Sequence, residues 1–169
     1  MNGSKPATLP TSTSAPMNDN GTTSIPAGIT MLKTTWQDSE ASLRSIREAV
    51  FIREQRVPEE MEWDEFDADS IHFLALNAEQ HAVGCVRLLH SGQISRLCVS
   101  ESLRGQGIGR LLLETVENEA RQQSMSEVFL HAQTQASHFY EAAGFMVNGG
   151  IFVEAGIPHR QMTKELCRK

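Results

Sequence analysis

The chain lacks long apolar runs, basic runs and metal-type cysteine or histidine patterns. No stretch approaches the roughly 20 consecutive apolar residues of a membrane-spanning helix, so no membrane partner is expected. Lys and Arg number 15 against 21 Asp and Glu, a formal net charge of −6. Without a Lys/Arg cluster, generic nucleic-acid binding, which works by neutralising phosphates, is not expected either. Cys85, Cys98 and Cys167 are odd in number and lack metal-ligand spacing. We read them as reduced thiols of a cytoplasmic protein, because a secreted domain would more often pair its cysteines. No histidine pair has a third ligand at metal-site spacing, so no metal is expected. There is one tyrosine, Tyr140.

What is present fits one domain. A chain of 169 residues with 40% apolar side chains can bury a single core. Residues 1–29 are different material, rich in Ser, Thr, Pro, Gly and Asn with almost nothing large to bury, so they read as a disordered N-terminal tail before a domain over 30–169. The tail has no apolar stretch of the roughly 7–15 residues that a secretory signal carries. An upstream extension before a start at Met17 or Met31 is one alternative, and a tail that folds over the substrate cleft is another.

Within the domain, periodicity predicts strand, helix, three antiparallel strands, helix, strand, helix, two strands. Leu32–Trp36 reads as the first strand. Asp38 or Ser39 would cap the next helix, where Leu43, Ile46, Arg47, Val50 and Phe51 recur at three and four until Pro58 ends it. An acidic loop, Glu59 to Asp69, follows. Strands are predicted over 71–77, 82–90 and 93–99, with Ser91-Gly92 as a hairpin turn. Ile108, Leu111, Leu112, Thr115, Val116 and Ala120 would form the buried stripe of the next helix. A strand over 127–131, a helix over 135–143 closed by Gly144, and strands within 145–153 and 160–166 complete the order. The fold class is α/β (α+β): a single mixed, mostly antiparallel central sheet with helices on both faces.

Between Val99 and the second long helix lies Ser100-Glu101-Ser102-Leu103-Arg104-Gly105-Gln106-Gly107-Ile108-Gly109. A strand, a glycine-rich turn and a helix start in succession present unpaired N–H groups at the positive end of a helix dipole, a ready pyrophosphate site. A Walker-type loop is excluded because no Lys follows the glycines. The dinucleotide fingerprint fails because Arg110 stands where its third glycine belongs. What fits is Arg/Gln-x-x-Gly-x-Gly/Ala, through Arg104, Gly107 and Gly109. Downstream, Gln133-Thr-Gln-Ala136-Ser-His-Phe139-Tyr140-Glu-Ala-Ala-Gly144-Phe145 forms a second pattern.

These two motifs, in this order, resemble those of the GNAT superfamily of N-acetyltransferases. The first resembles its acetyl-CoA-binding loop. The second resembles N-x-x-A-x-x-L/F-Y-x-x-x-G-F, with Gln133 where the family has a cofactor-contacting Asn. Val50-Phe51-Ile-Arg-Glu54-Gln55-Arg-Val57-Pro58, Asp64-Glu65-Phe-Asp67, His131-Ala132-Gln133 and Gly156-Ile157-Pro158-His159 are similar to the ElaA-like and YjcF-like branch. The resemblance covers about Leu32 to Lys164.

The resemblance implies acetyl-CoA as cosubstrate, transfer to a primary amine by direct attack in a ternary complex, and the GNAT fold. Gly105, Gln106, Gly107, Ile108, Gly109 and Arg110 would hold the pyrophosphate through main-chain N–H groups, with Arg104 and Arg110 adding charge. The backbone of Leu97, Cys98 and Val99 would pair with the pantetheine arm, one N–H facing the thioester oxygen. Tyr140 takes the position of a general acid for the departing thiolate, although packing beside Ala136 and Phe139 would also explain it. Glu54, His131 and His159 are the candidate bases. A lysine-like acceptor with pKa ~10.4 needs one, since deprotonation at pH 7 costs ~4–5 kcal/mol. The carboxylates Glu59, Glu60, Glu62, Asp64, Glu65, Asp67 and Asp69 would draw a cation, so the acceptor is expected to be a small-molecule amine or a lysine-bearing peptide. A homodimer is left open. Two other readings stand beside this one: a non-catalytic acetyl-CoA-binding module, and an acyl-homoserine-lactone synthase, whose amino end has spacings similar to Arg47, Phe51, Trp63, Asp64 and Asp67 but which lacks both motifs.

Overall fold

The computed structural model describes residues 26–167. Of the segment read as a tail, residues 1–25 lie outside the described residues, while Ile29 already packs against the main core. Seven strands form one sheet in the order β1-β2-β3-β4-β5-β7-β6. They are β1 Thr30–Thr34, β2 Ile71–Leu76, β3 Ala82–Leu88, β4 Gln93–Val99, β5 Glu127–Gln133, β6 Met146–Glu154 and β7 Ile157–Glu165. Only β4 and β5 pair in parallel; every other neighbouring pair is antiparallel. The expected mixed, mostly antiparallel sheet is therefore the one observed.

Side-chain alternation along the strands sorts the core into two layers. On one face Leu74, Cys85 and Cys98 pack under Leu43, Ile46 and Val50 of the helix α1, Trp36–Arg47, and its continuation. On the other, Phe73, Ala75, Val86, Leu88 and Val99 pack under α3, Ile108–Gln122, while Tyr140 of α4, Ser137–Ala142, belongs to the same cluster. Gly84 sets how closely α3 can sit: a Cβ there would lie 2.9 Å from the Cys98 carbonyl oxygen and 3.0 Å from Leu112 Cδ1.

Several boundaries differ from the periodicity reading. Trp36 opens α1 instead of closing β1, and the cap is Thr35, whose hydroxyl accepts the Asp38 N–H at 3.2 Å. Asp38 and Ser39 thus fall inside the helix. Beyond Arg47 the helix widens to a π-helical turn, Glu48–Glu54. On α3 the buried stripe is Ile108, Leu112, Leu113, Val116 and Ala120. Leu111 and Thr115 are only half-buried, because the helix presents Leu113 to the sheet.

The acidic segment departs most from expectation. It contains the short helix α2, Glu59–Glu62, and a 3-10 turn, Asp67–Asp69, and it turns three carboxylates inward. Arg47 donates to Glu62 at 2.8 Å and to Asp67 at 2.6 Å. Arg87 donates to Asp64 at 2.7 Å and Asp67 at 3.0 Å. Arg96 donates to Asp64 at 3.2 Å, and its Nε lies 3.1 Å from Glu62, close enough for charge but off-line for a hydrogen bond. Three guanidiniums thus answer three carboxylates. The expected cation-drawing surface is corrected accordingly: only Glu59, Glu60, Glu65 and Asp69 of the run remain exposed.

Burial opposes every charge in this lattice, and the outcome differs by residue. At Asp67, burial pushes the carboxyl up, but hydrogen bonds and charge from Arg47 and Arg87 prevail and hold it below the usual range. At Glu62, burial prevails over Arg96 and Arg47, and the carboxyl is raised. Asp67→Asn leaves two buried guanidiniums short of a countercharge, so stability in urea titration is expected to fall by about 3–5 kcal/mol. Exposed Glu60→Gln should change it by no more than about 0.5 kcal/mol. Because the folded Asp67 carboxyl lies below its unfolded value of ~3.9, its contribution is complete above that pH and is lost as pH falls through the lower folded value. The gap between wild type and Asp67→Asn should narrow accordingly in acid.

Candidate active site

The site begins with a fault in β4. Cys85 faces Cys98 and Arg87 faces Ser95, so Arg96 and Leu97 together oppose the single residue Val86. Arg96 takes the extra position with φ 56, a left-handed conformation that side-chain-bearing residues avoid. Its surroundings compensate: the Cys85 thiol donates to the Arg96 carbonyl at 3.2 Å, and Arg96 Nη2 donates to the Glu62 carbonyl at 3.0 Å. The bulge turns β4 away from β5. Their pairing is confined to Gln93 with Phe129 and Ile94 with Leu130. From Ser95 to Val99 no strand lies beside the β5-facing edge of β4 among the described residues. Leu97, Cys98 and Val99, the expected pantetheine segment, sit on that opened edge with their side chains buried.

The glycine turn stands where β4 ends. Gly107, φ 88, is the N-cap of α3 and offers no side chain to satisfy the first turn. The Leu111 N–H closes onto the Gly107 carbonyl at 3.0 Å, which leaves the N–H groups of Ile108, Gly109 and Arg110 without partners among the described residues. Gly105 is also left-handed, φ 79, as a sharp turn into the helix requires. Gln106 is exposed beside it. Among the described residues the Arg110 guanidinium pairs with Glu114, at 3.1 Å on the same helix.

Arg104 behaves differently from expectation. Its guanidinium grips Glu54 with two bonds of 2.6 and 2.7 Å and donates from Nε to the Val99 carbonyl at 3.0 Å. The charge expected beside the phosphates is thus matched by Glu54. Glu54, one of the expected bases, is not among the residues lining the cavity described next; its carboxylate is engaged by Arg104 and anchors the turn.

A cavity of about 400 Å³ opens between the parted strands, the π-helical turn and the β6–β7 hairpin. Its wall includes Phe51 and Gln55, Arg87 and Arg96, Tyr140, and the far end of the sheet with His131, Gln133, Glu154 and His159. Two expected bases therefore share it with the expected acid. Gln133 donates to the Gln55 side-chain oxygen at 2.9 Å and accepts from Gln135 at 2.9 Å, tying β5 to the helix across the opening. Tyr140 is held edge-to-face between Phe139 and Phe145, and its hydroxyl has no hydrogen-bond partner among the described residues. Burial, helped by neighbouring Cys98, pushes the phenol well above its ordinary range.

Glu154, Gln55 and Arg96 escaped the sequence reading. Glu154 could have been found from the hairpin Glu154-Ala-Gly-Ile157, which returns it to the face that carries His159. No sequence signal announces the bulge that aims Arg96. Of the residues that suggested a lactone synthase, Arg47, Asp64 and Asp67 belong to the ionic lattice, Trp63 lies under Arg44 and Arg47 at 4.6 and 5.1 Å, and Phe51 lines the cavity.

The site thus combines a sheet parted at one parallel pair, an uncapped helix N-terminus where β4 ends, and a cavity walled by a phenol and two imidazoles. The particular family follows from comparison: residues 33–166 match the acetyltransferase (GNAT) domain, and the chain belongs to that family. It is 39% identical over 124 residues to the uncharacterized N-acetyltransferase YjcF of Bacillus subtilis, covering 71% of this chain and 88% of YjcF. It is 33% identical over 150 residues to ElaA of Escherichia coli, covering 79% and 97%. The ElaA crystal structure superposes with a TM-score of 0.73 at 28% identity, over 81% of this chain and 99% of ElaA. An acyl-CoA N-acyltransferase from Pseudomonas aeruginosa superposes equally well, TM-score 0.73 at 28% identity, over 80% and 99%.

Proposed function

We propose that this acyltransferase moves the acetyl group of acetyl-CoA directly to a primary amine, with both substrates bound at once. The observation that carries this reading is the continuity of the parted β4 edge with the unpaired N–H groups of α3. Such an edge suits the amide-bearing pantetheine arm, and such a helix start suits the pyrophosphate. The names of YjcF and of the Pseudomonas enzyme point the same way.

Direct transfer is favoured because the cavity holds no activated nucleophile. Cys98 is fully buried off the cavity wall, and burial raises its thiol well above the ordinary range. Ser95 does line the cavity, but its hydroxyl accepts from Arg87 at 2.9 Å and has no base beside it. The amine nitrogen would attack the thioester carbon, forming the C–N bond. Collapse of the tetrahedral species would then break the C–S bond, with the electron pair going to sulfur and the amine's proton to a base. A phenol near ~10 is already a weaker acid than a thiol near ~8.5, and burial widens that gap. Full proton transfer from Tyr140 to sulfur is therefore uphill. Its hydroxyl would serve as a hydrogen bond that strengthens as charge builds on sulfur, while solvent supplies the thiol proton.

Two measurements test this. Gly107→Ala and Gly107→Glu both place a side chain in a left-handed position, at a cost of about 1–2 kcal/mol, but only the second adds negative charge at the phosphates. Calorimetry with acetyl-CoA should show at least tenfold weaker binding for the Glu variant than for the Ala variant; equal affinities would remove the pyrophosphate from α3. For Tyr140→Phe, acetyl-CoA-dependent thiol release across a panel of amines should fall roughly 10–100-fold, the worth of one hydrogen bond to a charged atom. Acetyl-CoA affinity should stay within about twofold. Wild-type turnover would return Tyr140 to a packing role.

A further inference from the structure

The carboxylate that meets the acceptor is not on the acidic segment. We infer that Glu154 and His159, braced by His131, form an ammonium site in which Glu154 binds the acceptor and His159 receives its proton. This rests on the reading of the cavity as the acceptor side of an N-acyltransferase. It deepens that reading by naming the charge class of the acceptor and dividing the roles of the histidines.

Strand register brings the three together. His159 pairs with Gln133 of β5 on one side and with Phe152 of β6 on the other, and Glu154 lies two residues beyond Phe152 on the same face. Glu154 Oε1 is 3.2 Å from His131 Nδ1, and Oε2 is 3.8 Å from His159 Nε2. Phe152 fills the space between the imidazoles, edge-on to His131 at 5.0 Å and stacked on His159 at 5.9 Å. The apolar ring holds both imidazoles in place and leaves their polar edges to Glu154 and the cavity.

The hydrogen-bond chemistry dictates the protons. His159 Nδ1 is 2.6 Å from the Ile157 carbonyl oxygen, which can only accept, so Nδ1 carries the hydrogen. A neutral His159 then leaves Nε2 an unprotonated acceptor 3.8 Å from a carboxylate oxygen. Two acceptors at that distance have no donor between them among the described residues. A primary ammonium supplies two donors: one N–H bonds to Glu154 Oε2, and a second gives its proton to Nε2, leaving a neutral amine and an imidazolium. His131 has the complementary role: Glu154 accepts from its Nδ1–H, which fixes the carboxylate without neutralising it. His131 is thus a positioning residue, and His159 is the catalytic base.

The rest of the cavity wall explains why this carboxylate is the one available. Glu62 and Asp64 also face the cavity, but Arg47, Arg87 and Arg96 balance them. Among the described residues Glu154 meets no lysine or arginine, only the two histidines. A cationic acceptor therefore finds one unmatched negative charge, at the end of the cavity walled by the β6–β7 hairpin. An anionic acceptor finds none of the opposite sign to spare.

The test uses the full chain labelled with nitrogen-15 in its histidine rings, titrated with n-butylammonium chloride or sodium butyrate at matched ionic strength. His159 should appear as the Nδ1–H tautomer. Butylammonium should shift the His159 and His131 ring signals saturably, and butyrate should not. Glu154→Gln should weaken the butylammonium response at least tenfold, while Glu59→Gln with Glu60→Gln should leave it unchanged. Glu154 is half exposed, so its variant should fold, and a melting curve checks that. An Nε2–H tautomer at His159, an equal response to butyrate, or an undiminished response in Glu154→Gln would each overturn the inference. In thiol-release kinetics, Glu154→Gln should raise KM for the amine but not for acetyl-CoA, and His159→Asn should lower kcat; His159→Asn turning over at the wild-type rate would also overturn it. Loss of acetyl-CoA binding in calorimetry would instead strike the transferase reading, and the ring titration would still decide the ammonium site.

Discussion

Everything at the site depends on one residue held in an unfavourable backbone conformation. Arg96, at φ 56, forces the bulge that separates β4 from β5. Had β4 continued straight, it would have paired with β5 along its whole length, leaving neither an open strand edge nor a cavity. A left-handed residue with a long side chain costs on the order of 1–3 kcal/mol. Here its two ends repay the cost, the carbonyl through the Cys85 thiol and the guanidinium through the Glu62 carbonyl and the Asp64 carboxylate. The same arginine therefore bends the strand and joins the ionic lattice under the cavity wall.

That lattice directs without attracting. Three arginines and three carboxylates sum to no net charge, and each charge is satisfied by neighbours on separate segments: α1, the stretch from Glu62 to Asp67, β3 and β4. In a low-dielectric interior such an arrangement fixes relative positions, because displacing one member strands another. His72 shows how far this reaches: its Nε2 meets the Asp67 carbonyl at 2.9 Å, and burial lowers its basicity, so it enters as a neutral ring. The acidic stretch is acidic because it must answer buried arginines, and charge composition alone could not distinguish that from a solvated or substrate-drawing loop.

Much of the fold was legible because hydrophobic alternation and glycine punctuation are local signals. The strand, glycine turn and helix from Gln93 to Gln122, the hairpin at Ser91-Gly92 and the Tyr140 helix all stand where their residues predicted. What escaped was set by tertiary partners. Thr35 outcompeted Asp38 and Ser39 as a cap because β1 ends at Thr34, two residues earlier than its apolar pattern suggested. Leu113 replaced Leu111 and Thr115 on the buried stripe, beside Leu112, whose close approach to Gly84 sets how α3 sits on the sheet. Glu54 and Arg104 lie 50 residues apart, and no spacing rule announces that they will meet. The histidines were found as isolated candidates; only the β5–β7–β6 register unites them through Glu154.

The Glu54–Arg104 pair also bears on how the two halves of the site communicate. Arg104 belongs to the glycine turn and holds the Val99 carbonyl at the end of the opened strand, while Glu54 closes the π-helical turn whose Phe51 lines the cavity. A widened helical turn has weaker internal hydrogen bonds than a regular one, so its position depends on such external anchors. Gln55, next in sequence, carries the same linkage onward to Gln133 on β5. Ordering the glycine turn therefore orders the cavity wall, through two bonded contacts and no long-range field. An arginine serves here where a lysine could not, because only a planar guanidinium can grip both carboxylate oxygens and the strand carbonyl together.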